Sequence, residues 1–142
     1  MKIPNKTICV ASEHDIQASL IQWSILSRKK YPDLELLYAI PNGGHRDVRV
    51  GAKLKKEGVR RGIPDLHLPV PRGSHPSLYI EMKTARGQLS VDQRWWKDRL
   101  MQTGHAWFLC RTVEEAISAL SAYLLLGRGE SLSELDNRKR AA

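Results

Sequence analysis

Apolar positions along this chain change period several times, and each change marks an element. After Ser12 the residues Ile16, Leu20, Trp23 and Leu26 recur three or four apart, the spacing that lines one face of a helix. Ser12 followed by Asp15 resembles an N-cap signal, although a capping box ordinarily carries Glu or Gln at that place. The helix is expected to run to about Lys30, where Tyr31-Pro32-Asp33 stops it. Leu34 to Ile40 (LELLYAI) reads as a strand, and Pro41-Asn42-Gly43-Gly44 as a turn. A basic segment then predicts a second helix ending at Gly58, a suitable residue just past a helix C-terminus. Asp65 to Val70 and Leu78 to Lys83 are two strands joined by PRGSHPS, hence an antiparallel hairpin. Ser90 with Gln93 forms a capping box for a helix to Gly104, HAWFLC is a short strand, and Thr112 with Glu115 caps a helix ending near Gly127.

The order α-β-α-β-β-α-β-α predicts an α/β fold built on a mixed four-stranded sheet flanked by helices. No repeat, linker or low-complexity block interrupts it. Residues 1–127 therefore read as one domain, and 128–142 as a polar tail with little to bury, expected to be frayed.

Composition narrows the class. The chain has 142 residues, 42% of them apolar and 27% charged, ordinary for a globular domain and too apolar for disorder. Its cysteines, Cys9 and Cys110, form no CxxC pair, which argues against a zinc site or disulfide framework and for a reducing compartment. The N-terminus lacks the apolar core of a signal peptide, and the longest apolar run, Ala122 to Leu126, is too short to span a bilayer. The expected setting is cytoplasmic, in a bacterial or phage-encoded intracellular protein, with no membrane partner.

Charge adds a partner. The formal net charge is +8, and Arg46 to Arg61 holds seven basic residues against Asp47 and Glu57. Five of them, Arg46, Arg49, Lys53, Lys56 and Arg60, fall at spacings of 3, 4, 3 and 4, so a helix would align them on one face. With Arg61 they make a candidate surface for a polyanion, of which nucleic acid is the commonest. A plain solvated helix face is the alternative.

The candidate chemistry lies in the hairpin. Strand alternation points Glu81 and Lys83 to one face, and Asp65 is expected to pair near the Lys83 end of the second strand. Two carboxylates with an ammonium suit Mg²⁺ or Mn²⁺, whose bound water can attack a phosphodiester, with Lys83 beside that water. An Asp/Glu/Lys ladder on a solvated sheet face would present the same residue types. The five histidines, His14, His45, His67, His75 and His105, show no ligand spacing.

In its wider setting this arrangement resembles the PD-(D/E)xK nuclease superfamily, and more narrowly the VRR-NUC family of virus-type replication-repair nucleases. The resemblance rests on Glu13 and Gln17, Pro41 to Gly44, Gly58-Val59-Arg60-Arg61-Gly62-Ile63-Pro64-Asp65-Leu66, Ile80-Glu81-Met82-Lys83, and Gln88-Leu89-Ser90 with Gln93 and Trp96. It implies a restriction-endonuclease-like core, with metal ligation by Glu13, Asp65, Glu81 and the backbone carbonyl of Met82. It further implies that Lys83 acts on the nucleophile, that Gln93 supports the site, and that Gln17, Asn42, Gly43 and Gly44 assist. Short stand-alone members look like homodimers that cut four-way (Holliday) junctions, so the implied activity is a metal-dependent endonuclease for branched DNA. Flap- or end-processing and restriction-type nucleases share the core, and an idle junction-binding module would share the motif. Gln93 has the alternative of serving its helix cap alone, Gln17 of being a surface residue, Trp95 and Trp96 of packing, and Asn42 to Gly44 of being only a turn.

Overall fold

The computed structural model describes residues 11–41, 48–127 and 130–132. Its centre is β3 (Leu78–Met82), flanked by β2 (Leu66–Leu68) on one side and β4 (Ala106–Cys110) on the other, with β1 (Tyr38–Ala39) outside β2. The β1–β2 and β2–β3 pairs are antiparallel and β3–β4 is parallel, which makes the sheet mixed as expected.

The two sheet faces differ in chemistry because side chains alternate. Leu66, Leu68, Leu78, Ile80 and Met82 share one face and are fully buried. Against them pack α1 (Glu13–Leu26) and α4 (Val113–Leu124) through Ile16, Leu20, Ala116, Leu120 and Tyr123. The opposite face carries Glu81, Tyr79 and His67, and α3 (Val91–Gln102) packs on its β4 side. There the β-register aligns Tyr38, His67, Tyr79 and Trp107 in one row. His67 stacks on Tyr79 at 4.1 Å, and Tyr38, His67, Ser77 and His105 follow one another in hydrogen bonds of 2.7, 3.0 and 2.7 Å. Burial, then the neighbouring His105, lowers the pKa of His67.

Several boundaries differ from the sequence expectation. Leu34 to Ile40 is not one strand: Pro32–Leu36 forms a 3-10 helix and only Tyr38–Ala39 pairs. Pro32 presets the helical φ at its start, and the tight turn buries Leu34 while leaving Leu36 51% exposed. An Arg72–Asp33 ion pair holds this turn to the β2–β3 connection. β2 stops at Leu68 because Pro69 and Pro71 cannot donate to a ladder. α1 ends at Leu26 rather than near Lys30, and α4 at Leu124 rather than near Gly127. Asp15 does complete a capping box at Ser12, accepting the Ser12 N–H at 3.0 Å. Glu115 does not close its box: its carboxylate accepts the Arg111 N–H at 2.6 Å, leaving Thr112 as a one-way cap. In the segment expected to be frayed, Leu132 packs against the core and Glu130 accepts the Ser74 N–H at 2.9 Å.

α2 (Val48–Lys56) stands apart from this packing and buries no residue. It ends in a Schellman arrangement, with Val59 N–H donating to Leu54 O at 2.9 Å and Gly58 N–H to Lys55 O at 3.2 Å. Gly58 has φ +91° there, a conformation natural to glycine.

Candidate active site

The β2–β3 register pairs Leu66 with Ile80 and so sets Asp65 opposite Glu81. Asp65 lies one residue before β2, after the fully buried Pro64. Its carbonyl accepts the Ile40 N–H at 2.7 Å, and its Oδ2 accepts the Met82 N–H at 2.7 Å. Main chain on both sides thus fixes where this carboxylate sits.

Glu81 is 1% exposed. Its Oε1 accepts from Gln93 Nε2 at 2.5 Å and lies 3.2 Å from Lys83 Nζ. Burial first, then the charge of Asp65, pushes the Glu81 pKa up to about 7, against the pull of Lys83. Burial also raises Asp65, opposed by the Met82 N–H and by Lys83. Lys83 Nζ is 3.6 Å from Glu13 Oε1 as well, so the ammonium bridges α1 to β3. Gln93 serves two partners, since its Oε1 also accepts the Ser90 N–H at 2.9 Å. Only one orientation of its amide satisfies a donor on one side and a carboxylate on the other.

Above these groups opens a cleft of about 1240 Å³. It is lined by Glu13, Asp65, Lys83 and Gln93, by Gly51, Ala52 and Lys55 of α2, and by Arg60 and Arg61. The basic residues expected to form one surface divide in the structure. Arg49, Lys53 and Lys56 do not line the cleft, because α2 turns Gly51, Ala52 and Lys55 toward it. Lys53 instead lies 3.9 Å from Glu57. Arg60 does not continue the helical stripe, because the chain leaves the helix at Gly58; its guanidinium rests on Trp95 and Trp96. Gln17 is half-buried one turn beyond Glu13 and does not reach the cleft wall. Arg46, Asn42, Gly43 and Gly44 lie outside the described residues.

Two contributors escaped the sequence reading. Lys55 was counted as charge but not placed; its spacing from Gly51 and Ala52 was the available signal, since small residues on one helix face leave room for a cleft. Arg111 ties the turn after β3 by donating to Thr84 O at 2.5 Å and Gly87 O at 2.8 Å. Gly87 passes close over Lys83, where a Cβ would lie 3.1 Å from Lys83 Cδ. No local pattern in the sequence announces that link.

Among the described residues, no three His, Cys, Asp or Glu side chains converge as a three-ligand metal cluster requires. The facing pair is Asp65 and Glu81, with Glu13 Oε1 3.6 Å from the Lys83 ammonium. Two hard carboxylates, each destabilised by burial and Glu81 also by its neighbour's charge, fit a divalent cation that keeps most of its own water.

Comparison with known proteins bears on the family and the fold. A family model described as the VRR-NUC domain matches residues 8–114. A solved structure named "VRR_NUC domain protein" superposes with a TM-score of 0.73 at 26% identity, covering 86% of this chain and 97% of that one. No curated protein matches.

Proposed function

The chain belongs to the VRR-NUC family and is a nuclease domain of the PD-(D/E)xK type, and from that premise we propose a metal-dependent endonuclease acting on branched DNA, four-way junctions first. The observation that carries this reading is the Asp65–Glu81 pair, set face to face by the β-register with Lys83 Nζ 3.2 Å from Glu81. Asp65, Glu81 and the Met82 carbonyl would hold Mg²⁺ or Mn²⁺, with Glu13 reaching in from α1. Such an ion, when bound, supplies an acidified water and neutralises charge on the phosphate.

The remaining roles belong to the chain. Lys83, held between Glu13 and Glu81, orients the attacking water and faces the charge that develops on the phosphate. Gln93 keeps Glu81 in place through a hydrogen bond that only an amide or another donor can make. Lys55, Arg60 and Arg61 receive the strand being cut, and Arg49, Lys53 and Lys56 on the outer face of α2 receive a second arm. A homodimer would present two such sites to a substrate with rough two-fold symmetry.

Labelled four-way junction, 5′ flap and plain duplex, each incubated with Mg²⁺, Mn²⁺ or EDTA, test the reading, with Lys83→Ala alongside. Paired nicks on the junction, lost in EDTA and in the variant, are expected. Cutting of the flap or duplex in preference to the junction would move the substrate assignment. Tight binding without cutting in either metal would overturn the enzyme reading for this chain.

A further inference from the structure

The segment between α2 and β2 is fastened to α3 at two points. Gly62 has φ +76°, and a Cβ there would come within 2.6 Å of the Asp92 backbone and 2.8 Å of Gln93 N. One residue earlier, Arg61 O accepts the indole N–H of Trp96 at 2.9 Å. Between these fastenings and the end of α2, the Arg60 guanidinium carbon lies 5.0 Å from the Trp95 ring centroid and 4.9 Å from that of Trp96. The two indoles stand at 87° to one another, 5.3 Å apart, so Arg60 occupies the corner of a perpendicular pair. No salt bridge among the described residues engages Arg60, and the residue lines the same cleft as Asp65, Lys83 and Gln93.

Packing alone does not account for this corner. Trp96 is half-buried and hydrogen-bonded, whereas Trp95 remains 45% exposed, so the second residue keeps nearly half its surface in solvent. What it gains is cations over its ring, Arg60 at 5.0 Å and Arg99 of the same helix at 5.9 Å. A guanidinium held over aromatic rings keeps N–H groups for another partner, and their fork matches two oxygens of a phosphate. A lysine could supply the charge but not the fork.

We propose that Trp95 and Trp96 form a socket that orients Arg60 to grip a backbone phosphate of the strand entering the cleft, with Arg60 as the contact and the two indoles as positioning residues. The proposal rests on the DNA-cleaving reading above and adds to it a specific phosphate grip. Direct stacking of an unpaired base on Trp95 is the competing use of the same ring, and the experiment separates the two.

Binding of a fluorescein-labelled four-way junction is measured in EDTA across a series of NaCl concentrations, for the wild type, Arg60→Gln, Arg60→Lys, Trp95→Leu, Trp95→Phe and the double variant Arg60→Gln/Trp95→Leu. Binding in EDTA needs no catalysis, so failure to cut leaves this test intact. Arg60→Gln is expected to weaken binding and to reduce the salt slope by about one unit, the mark of one lost phosphate contact. Trp95→Leu is expected to weaken binding roughly two- to fivefold, the equivalent of one exposed cation–π contact, and Trp95→Phe by less. Arg60→Lys should keep the salt slope yet lose affinity, which a merely structural arginine would not do. In the Arg60→Gln background Trp95→Leu should cost nothing further. If it costs as much there as in the wild type, the ring acts on DNA directly or through Arg99, which also lies over it, and the socket is overturned. If the wild type binds no junction at any salt concentration, the branched-DNA reading falls, and the grip with it.

Discussion

Gln93 donates its side-chain N–H to Glu81 Oε1 at 2.5 Å while its own carbonyl oxygen accepts the Ser90 N–H at 2.9 Å. One amide thus closes the N-terminal cap of α3 and holds a carboxylate that is 1% exposed. The two duties can be separated by substitution. Gln93→Ala removes both and is expected to destabilise the fold by about 1–3 kcal/mol, through the lost cap and the unsatisfied Glu81 oxygen. Gln93→Glu restores an acceptor for Ser90 but sets a carboxylate against Glu81. Thermal unfolding should then show a partly recovered cap, while single-turnover cleavage stays as low as in the alanine variant. Recovery of cleavage by Gln93→Glu would mean that the hydrogen bond to Glu81 is dispensable.

Glu81 also makes stability depend on pH. Its folded pKa, about 7, lies above the ordinary 4.5 of a free glutamate, so the folded protein holds this proton more tightly than the unfolded chain does. Its contribution to stability is fully present below about pH 4.5 and is lost as pH rises through 7. The change amounts to roughly 3 kcal/mol if Glu81 acts alone. Urea unfolding in EDTA, wild type against Glu81→Gln, is expected to show a difference that grows between pH 5 and pH 8. A constant difference across that interval would place the Glu81 proton elsewhere.

Gly62 has no tolerance for a side chain. Its positive φ and the 2.6 Å approach of a Cβ to the Asp92 backbone act together. Gly62→Ala is expected to cost about 2 kcal/mol or more and to lower cleavage, because the strained contact falls on the turn that presents Gln93. Gly51→Ala is the control: a Cβ there meets nothing within 4 Å, and helix propensity favours it. Unfolding midpoints of the two variants should move in opposite directions.

The basic residues divide by face. Lys55 lines the cleft, whereas Lys53 and Lys56 do not. Lys55→Gln is expected to weaken binding of short duplex and four-way junction alike, with a loss of about one unit of salt slope for each. Lys53→Gln and Lys56→Gln should weaken junction binding and leave a short duplex nearly untouched. Equal effects on both substrates would remove the second-arm role proposed for that face.

Local rules located the cluster of charged groups and misplaced part of its surroundings. Strand alternation was enough to put Glu81 and Lys83 on one face and Asp65 beside them, because a period of two admits no other outcome once the strands pair. The capping pattern at Ser90 and Gln93 was also legible, being a contact three residues long. The strand expected from Leu34 to Ile40 failed because Leu34 could be buried by a tight turn as well as by a strand, and a tertiary ion pair from Arg72 holds that turn. Of the charge stripe, Arg49, Lys53 and Lys56 do share α2, but periodicity says neither that the helix ends before Arg60 nor which face meets the rest of the molecule. Gln93 bonding to Glu81, and Arg111 reaching back to Thr84, are contacts across elements that no window along the chain contains.

The close seating of Gly62 on α3 has a mechanical consequence. Arg60 and Arg61 sit just before that contact, and Gln93, which holds Glu81, lies in the turn that receives it. The spacing between the grip on a phosphate and the carboxylate below it is therefore set by main chain against main chain, like the gap of a fixed caliper. A strand that pulls the arginines outward pulls on the same turn that holds Glu81, so substrate strain and the position of the acid are transmitted through one joint.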